Sequence, residues 1–309
     1  MDRKPFFVVN PHAGSATTGR LWAGWREAIR RHIGSADFAF TAGAMDALRL
    51  TREALGKGYD LVVAVGGDGT LNEVLNGFFE SGKPLYPGAA IGYLPNGTGA
   101  DFSRTIGVYG VSPDELAERM THCSVRQLDC GEVRFHAPSG QENRRLFANE
   151  SSLGFSARTA AAVNQARKRF RGRLPFLIGV VRCLSSLRNP VLEVHVDGRS
   201  VYRGPTLMIA VANGRYFGGG MMIAPDAVLD DGQLDVIIVS AMSRLTLLRK
   251  IPKIYSGRHL EEPEVKALRC HTVEVTADDA DVALEMDGEQ PGRLSAQYRI
   301  SKLTVPFLC

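Results

Sequence analysis

The chain of 309 residues has little cysteine and no pattern that would pair it. Its five cysteines are scattered and contain no Cys-x-x-Cys pair, and its seven histidines lack the spacing of metal ligands. These absences argue against a disulfide scaffold and a structural zinc site, and predict free thiols in a reducing cytoplasm. A net charge of +4 with no basic or acidic tail gives no sign of a nucleic-acid partner.

Long hydrophobic runs are also missing. The longest, such as "LPFLIGVV", fall far below the roughly 20 residues of a membrane span, so any membrane contact is expected at the cytoplasmic surface. Residues 167–188 carry seven arginines and lysines and no acid, with aromatic and aliphatic residues among them. This composition predicts a transient contact with the inner membrane surface, against the simpler interpretation of a solvated helix with one buried face.

The first third of the chain alternates strand and helix signals. The predicted strands are 5–10, 37–41, 60–65 and 89–95, each an apolar run, and helical patterns lie between them. Continuous apolar strands spaced by helices are typical of a parallel sheet covered on both faces. We therefore predict an α/β, Rossmann-like nucleotide-binding domain over residues 1–127.

From about residue 127 the pattern changes to short alternating runs bounded by Gly, Asp and Asn. Such runs predict antiparallel strands, which we expect to form a β-sandwich domain for the substrate over residues 128–299. The tail, about 300–309, is expected to pack back on the first domain. The active site is expected in the cleft between the two domains.

The stretch "LVVAVGGDGTLNEVLNG" (61–77) joins a predicted strand to a predicted helix through three glycines around Asp68. Glycine lets backbone N–H groups approach an anion closely, and the helix directs its positive end to the same place. The loop lacks the lysine of the usual phosphate loop, so Asp68 fits a phosphate only with a metal ion or water between them. A tight turn that simply needs glycine is the competing interpretation.

Two further loops follow neighbouring predicted strands. They are "NPHAGS" (10–15) and "GYLPNGTGADFSR" (92–104). Because ligands of parallel sheets bind at the carboxyl ends of the strands, the three loops together predict a nucleotide site. No Gly-x-Gly-x-x-Gly motif follows the first strand, which argues against a dinucleotide-dependent dehydrogenase.

Five motifs carry a resemblance over nearly the whole chain. They are "VVNPHAGS", "VGGDGTLNEVLNG", "LPNGTGADFSR", "APDAVLDDGQLDV" and "EMDGEQ". In this order they resemble the diacylglycerol kinase catalytic-domain family, above all its bacterial soluble lipid kinases, which are related to sphingosine and ceramide kinases. The resemblance implies ATP- and Mg²⁺-dependent phosphorylation of a lipid hydroxyl. The chain departs from the family at Ala100, where an asparagine is common.

The resemblance also implies which residues bind the nucleotide. They are Asn10, Pro11, His12, Ala13, Gly14, Thr41, Gly66, Gly67, Asp68, Gly69, Thr70, Leu71, Asn72, Glu73 and Thr98. Thr41 would not be chosen from the pattern alone.

The resemblance makes Glu289 the proton acceptor from the lipid hydroxyl, with Asp287 beside it and Asp68 at the metal. Alternation along "LEMDGEQPG" (284–292) predicts that Glu285, Asp287 and Glu289 share one face of a strand. A carboxylate suits the reaction, since the alcohol loses its proton only as the phosphoryl group transfers. The choice between Asp287 and Glu289 is open, and an Asp-Gly turn with solvated acids is the competing interpretation.

The turn "VLDDGQLD" (228–235) resembles a second magnesium site of the bacterial lipid kinases. It would use the Asp231 carboxylate with the backbone carbonyls of Val228 and Gln233, which are hard oxygen ligands. An ordinary turn between strands is the alternative. "FANESSLGF" (147–155), with Asn149 and Glu150, also fits the family and is expected to line the cleft.

Two other functions stay open. NAD kinase shares the GGDGT loop but is expected to carry a "GNLGF"-type loop where this chain has "PNGTGADF". A nucleotide-binding regulatory protein without catalysis is the second. The identity of the lipid (diacylglycerol, phosphatidylglycerol, a sphingoid base, ceramide or a polyprenol) cannot be read from the motifs, and the oligomeric state is open, with a homodimer one option.

Overall fold

The computed structural model describes residues 3–80, 82–97, 99–167, 183–185, 187–277 and 282–308. The chain divides into two compact units. The first unit comprises residues 1–130 together with 302–309, and the second comprises residues 131–301. Within the described ranges, no helix combines the length and the apolar character needed to cross a bilayer.

The first unit is built on a six-stranded sheet. Its strands are β1 (Pro5–Val9), β2 (Asp37–Phe40), β3 (Leu61–Gly66), β6 (Ala90–Pro95), β7 (Val125–Leu128) and β20 (Val305–Leu308), in the spatial order β2-β1-β3-β6-β20-β7. The pairs β2-β1, β1-β3, β3-β6 and β6-β20 are parallel, and β7 runs antiparallel to β20. A small hairpin of β4 (Phe79–Glu80) and β5 (Lys83–Pro84) lies apart from this sheet. The chain terminus therefore supplies a strand to the first unit's sheet.

Helices cover the sheet of the first unit on both faces. They are α1 (Ala13–Ala16), α2 (Thr18–His32), α3 (Asp46–Gly56), α4 (Asp68–Gly77), α5 (Asp101–Thr105) and α6 (Pro113–His122). On one face of β3, Val63 packs in a cluster with Trp22 of α2 and Leu116 of α6. Val62, on the opposite face, is also fully buried. Burial of both faces explains why β3 is apolar without alternation, as a parallel sheet requires.

The second unit consists mainly of antiparallel strands. They are β8 (Gly131–His136), β9 (Glu142–Phe147), β10 (Glu150–Gly154), β11 (Val191–Val196), β12 (Arg199–Ala212), β13 (Tyr216–Phe217), β14 (Met221–Met222), β15 (Leu234–Ser240), β16 (Val265–Cys270), β17 (Thr272–Ala277), β18 (Ala283–Met286) and β19 (Glu289–Ile300). The helices α7 (Phe155–Arg167) and α8 (Arg244–Ile254) and a short 3-10 helix (Arg258–Glu261) accompany them.

The main sheet of the second unit closes on itself. It runs β10-β18-β19-β17-β11-β12-β15-β16, and β10 pairs with β12 as well as with β18. Six strands thus form a ring of hydrogen bonds, from which β15 and β16 extend on one side and β8 and β9 on another. Alternate residues of the ring, such as Leu153, Val194 and Ile209, meet in one buried cluster. A second cluster, on the other face of β12, packs against α8.

Candidate active site

Loops at the carboxyl edge of the parallel sheet are joined by backbone hydrogen bonds. The N–H of Asn10, directly after β1, donates to the carbonyl of Val65 in β3 at 2.9 Å. The N–H of Asn96, directly after β6, donates to the carbonyl of Gly66 at 2.7 Å. These bonds hold the three predicted nucleotide loops side by side, at the edge where parallel sheets bind ligands.

Asn10 also connects the first loop to helix α4 through its side chain. Its Nδ2 donates to Thr70 Oγ1 at 3.0 Å, and its Oδ1 accepts from the N–H of His12 at 3.0 Å. The buried Thr41 lies at the end of β2, where its N–H donates to the carbonyl of Val9 at 2.9 Å. The structure thus brings Asn10 and Thr70 into contact and places Thr41 at the end of the adjacent strand.

The rest of the first loop is more open. His12 is exposed, and Pro11 and Ala13 are half-buried. Gly14 has a φ of +59°, and a Cβ there would lie 2.9 Å from the carbonyl oxygen of Asn96. Glycine at this position therefore serves both the left-handed backbone and the close approach of the third loop.

The glycine loops after β3 and β6 pack backbone against backbone. A Cβ on Gly97 would lie 2.7 Å from the Cα of Gly67, closer than any side chain allows. Gly69 is half-buried in the first turn of α4, and the neighbouring Leu71 is buried. One reason for glycine here is thus the contact between the two loops themselves. Thr98, which was predicted to bind the nucleotide, lies outside the described residues.

Asp68 ties the second loop to the helix that follows the third. Its Oδ2 accepts from the N–H of Asp101 at 3.0 Å and its Oδ1 from the N–H of Phe102 at 3.2 Å, which caps the first turn of α5. The hydroxyl of Tyr93 lies 3.4 Å from Oδ1. Burial raises the pKa of Asp68, and the hydrogen bonds it accepts oppose that rise. Oδ1 thus faces two donors and Oδ2 one, so a metal ion at Asp68 would share these oxygens with the cap on α5.

Glu73 and Asn72 act within the helical layer. The two carboxylate oxygens of Glu73 accept from the N–H groups of Met45 at 2.9 Å and Ala47 at 3.0 Å, at the start of α3. Asn72 accepts from Asn76 Nδ2 through its backbone and side-chain oxygens, at 2.8 and 3.2 Å. Both residues are buried. In this structure Glu73 caps α3, which fixes that helix against α4.

The predicted catalytic acids lie on a hairpin, and the prediction that all three share one face of a strand is wrong. Strand β18 ends at Met286, which pairs with Glu289 at the start of β19. Asp287 and Gly288 form the two-residue turn between them, both with positive φ, +45° and +91°. The competing interpretation of an Asp-Gly turn thus describes the backbone correctly, but Asp287 is buried rather than solvated.

The Asp287 carboxylate anchors the hairpin. It accepts backbone N–H bonds from Ala148 at 3.1 Å, Asn149 at 3.2 Å and Glu150 at 3.0 Å. The N–H of Asp287 donates in return to the carbonyl of Glu150 at 3.1 Å. Four hydrogen bonds therefore fasten the turn to residues 148–150, where β10 begins, and together they compensate for the unusual backbone angle of Asp287.

Glu289 and Glu285 have different surroundings. Glu289 has a side chain that is 37% exposed and forms a 2.9 Å ion pair with Arg145 Nη1. Glu285 is buried, and its oxygens accept from Ser152 Oγ at 2.7 Å and from the N–H of Gly288. Glu285 thus stabilises the turn through the N–H of Gly288. Of the three carboxylates, Glu289 alone reaches solvent.

The segment that holds Asp287 is itself connected to the loop after β12. Asn149 Nδ2 donates to the carbonyl of Tyr216 at 2.7 Å, and Asn213 Nδ2 donates to the carbonyl of Ala148 at 2.8 Å. Glu150 is buried beside them. Asn149 and Glu150, which the sequence singled out without a definite role, therefore belong to the support of the hairpin.

Family models cover both units of the chain. A model described as the diacylglycerol kinase catalytic domain matches residues 4–133, and one described as the YegS C-terminal NAD kinase beta sandwich-like domain matches residues 149–307. A diacylglycerol kinase of Bacillus subtilis is 28% identical over 84% of this chain and 80% of its own length. One of Mycobacterium tuberculosis is 31% identical over 79% of this chain and 75% of its own length. The chain belongs to the diacylglycerol kinase family.

Solved structures agree with this family assignment in fold. A diacylglycerol kinase of Bacillus anthracis superimposes with a TM-score of 0.69 at 19% identity, over 99% of this chain and 96% of that one. The predicted α/β domain followed by a β-rich domain is therefore confirmed, as is the predicted family.

At the turn that the family resemblance marks as a magnesium site, Asp231 forms an ion pair with Arg269 of β16. Asp231 Oδ1 accepts from the N–H of Gln233 at 3.0 Å, and its Oδ2 lies 3.0 Å from Arg269 Nη2. Arg269 also lies 3.5 Å from Asp235, whose pKa is raised by burial. Val228 is partly exposed. Among the described residues, no group of three or more His, Cys, Asp or Glu side chains is arranged to hold a metal. A magnesium ion at Asp231 would share its carboxylate with Arg269.

Some contributors to the site were not predicted. Arg145 pairs with Glu289, and Tyr93 lies near Asp68. Asn96 donates through Nδ2 to the hydroxyl oxygens of Thr17 and Thr18, at 3.2 and 2.7 Å. Tyr93 and Asn96 both stand in the quoted loop 92–104, whereas Arg145 lies in no recognised motif and its partner Glu289 is remote in sequence. The predicted membrane segment 167–188 lies mostly outside the described residues.

Replacing Asp68 tests whether burial raises its pKa, because such a shift makes the free energy of unfolding depend on pH. A carboxyl group whose pKa is raised by folding contributes stability below its unfolded pKa and loses that contribution as pH rises through its folded pKa. Asp68→Asn removes this titration. We expect the difference in unfolding free energy, wild type minus variant, to fall as pH rises from about 4 towards neutrality.

Both tryptophans, Trp22 and Trp25, lie in the first unit, so denaturant unfolding followed by tryptophan fluorescence reports on the unit that contains Asp68. Glu118→Gln, an exposed acid on α6, is the control and is expected to show no such fall. A difference that grows with pH would contradict the raised pKa.

Hydrogen exchange tests the different roles of Asp287 and Glu289. In Asp287→Asn one carboxylate oxygen becomes an NH₂ donor, which cannot accept the backbone bonds and costs about 1–3 kcal/mol of local stability. We expect faster amide exchange in a peptide spanning residues 146–152. Glu289→Gln, matched in chemistry and near in sequence, is expected to leave that exchange unchanged. Equal acceleration of amide exchange in both variants would show that residues 146–152 do not depend on the hydrogen bonds to Asp287.

Proposed function

We propose that this protein transfers the γ-phosphoryl group of ATP, with Mg²⁺, to a hydroxyl group of a membrane lipid of the diacylglycerol type. The observation that carries the proposal is the different surroundings of the two acids on the β18–β19 hairpin, Asp287 and Glu289. Asp287 is buried and uses its carboxylate on three backbone N–H groups, whereas Glu289 is partly exposed. Membership of the diacylglycerol kinase family and the names of the relatives support the same reaction.

In this proposal Glu289 accepts the proton of the lipid hydroxyl as that oxygen attacks the phosphoryl group. Arg145 holds the Glu289 carboxylate at 2.9 Å and thereby restricts its orientation. Asp287 is a positioning residue, because its bonds to the 148–150 segment fix the turn from which Glu289 projects. A positioned carboxylate contributes about 10²–10⁴-fold to such a proton transfer.

The three loops of the first unit would bind the nucleotide. Their positive field comes from backbone N–H groups and the start of α4 rather than from a lysine, which the motif lacks. Asp68 and the Asp231 turn offer oxygen atoms, the ligand type that magnesium prefers. When bound, Mg²⁺ would neutralise phosphate charge. Asp68 also keeps the second and third loops in register through its cap on α5.

NAD kinase is the alternative that the fold alone does not exclude. The family model of the C-terminal domain is described as NAD kinase beta sandwich-like, so the two kinase classes share this architecture. The relatives reported above are named diacylglycerol kinase, which favours a lipid acceptor. Direct comparison of lipid and NAD as acceptors decides between them.

The test is a panel of acceptors incubated with ATP labelled on the γ-phosphate and Mg²⁺. It contains diacylglycerol, phosphatidylglycerol, a sphingoid base, ceramide, a polyprenol and NAD. We expect label in a lipid product, reduced about 10²–10⁴-fold in Glu289→Gln. Lys302→Gln, at an exposed position, controls for the loss of one surface charge and is expected to retain activity. Label in NAD alone, or in no acceptor, would contradict the proposal.

A further inference from the structure

Helix α8 exposes a stripe of apolar side chains. Leu245 is 69% exposed, Leu248 49% and Tyr255, directly after the helix, 46%, and Pro252 between them is also exposed. The spacings of three, four and three residues put all four on one face of a helix. We call this face, defined by Leu245, Leu248, Pro252 and Tyr255, the α8 stripe.

The α8 stripe is separate from the face that packs on the protein. Leu247 is buried in the cluster on the outer face of β12, and Ile251 and Ile254 pack against the same cluster. The helix therefore has two apolar faces. One is used in the fold, and the other, the α8 stripe, is directed to solvent.

The charged residues of helix α8 and its flanks are all positive. Residues 243–258 contain five basic residues and no acidic one. Lys250 and Lys253 are neutralised, since both form ion pairs with Glu262. Among the described residues Arg249 is exposed and has no ion pair, and Arg244 donates to the neutral carbonyl of Ser185 at 2.9 Å. Exposed leucine and tyrosine side chains beside unneutralised arginines are complementary to an anionic lipid surface.

The segment that follows α8 contacts the loop that supports the β18–β19 hairpin. His259 Nε2 lies 3.1 Å from the carbonyl oxygen of Ile223, and a Cβ on Gly257 would lie 2.6 Å from Pro225 Cγ. The loop that contains Ile223 and Pro225 begins beside Asn213 and Tyr216, which bind the segment that anchors Asp287. Within the second unit, the α8 stripe is thus connected to the hairpin through one loop.

From these observations we propose that the α8 stripe docks on the surface of an anionic membrane, with the apolar side chains in the interfacial layer and Arg244 and Arg249 on lipid phosphates. This inference rests on the proposed lipid kinase function. A second copy of the chain fits less well, since a stable dimer interface uses about 20–30 residues from each partner. Four side chains on one helix face fall far short of that number.

Vesicle binding tests the docking surface with a matched pair of leucines. Leu248→Gln on α8 is compared with Leu21→Gln on α2, whose leucine is 47% exposed. Binding is measured by sedimentation with vesicles of phosphatidylcholine and of a phosphatidylcholine–phosphatidylglycerol mixture. We expect wild type and Leu21→Gln to bind the anionic vesicles alike, and the double variant Leu245→Gln/Leu248→Gln to bind about tenfold or more weakly.

The charged part of the surface has its own matched pair. Arg249→Gln is expected to weaken binding to the anionic vesicles about fivefold, whereas Arg199→Gln, an exposed arginine of β12, is expected to leave it unchanged. Equal binding by Leu248→Gln and Leu21→Gln would overturn the proposal. So would conversion of a dimer to a monomer in the α8 variants with vesicle binding unchanged.

A second measurement separates docking from catalysis. Phosphotransfer to a short-chain diacylglycerol dispersed as monomers does not require a membrane, so the α8 variants are expected to stay within about twofold of wild type in it. A wild type that binds anionic vesicles through α8 but phosphorylates no lipid would contradict the proposed function and still support the docking surface. Equal loss in both assays would contradict a docking role and indicate damage to the fold.

Discussion

The carboxylate of Asp287 is the interaction on which the candidate site depends. Its three backbone hydrogen bonds join the β18–β19 turn to the 148–150 segment, which lies far away in the sequence. The turn has an uncommon backbone angle at Asp287, and these bonds compensate for it. Glu289 begins the next strand, so its position follows from the anchored turn. Asp287, which resembles a catalytic acid in the sequence, thus serves to position Glu289 in the structure.

In the first unit, too, acidic residues use their carboxylates to fix the backbone. Asp68 caps α5 and Glu73 caps α3, so each acid binds a helix start through backbone N–H groups. Such caps stabilise helices because the first N–H groups have no partner within the helix. The glycine loops between them are held in place before any nucleotide arrives. Preorganisation of this kind is what phosphoryl transfer needs, since it depends on positioning and electrostatics.

Local patterns in the sequence were sufficient for the architecture but insufficient for the partners of the acids. Apolar strands such as Leu61–Gly66 predicted a parallel sheet because both of their faces are buried. The closure of the second sheet, by which β10 pairs with β12 as well as β18, depends on contacts across many residues and leaves no local signal. The alternation through "LEMDGEQPG" was misleading at Asp287, because a two-residue turn interrupts the strand. The α8 stripe was likewise invisible without the fold, which decides which apolar face is buried.

Single-turnover phosphoryl transfer tests the central claim that Glu289 accepts the proton of the lipid hydroxyl and that Asp287 positions Glu289. Enzyme saturated with Mg²⁺, labelled ATP and a short-chain lipid alcohol is quenched at intervals, which isolates the chemical step from product release. We predict that Glu289→Gln slows this step by about 10²–10⁴-fold while substrate affinities and the melting temperature stay unchanged. An unchanged rate of the chemical step in Glu289→Gln would contradict it.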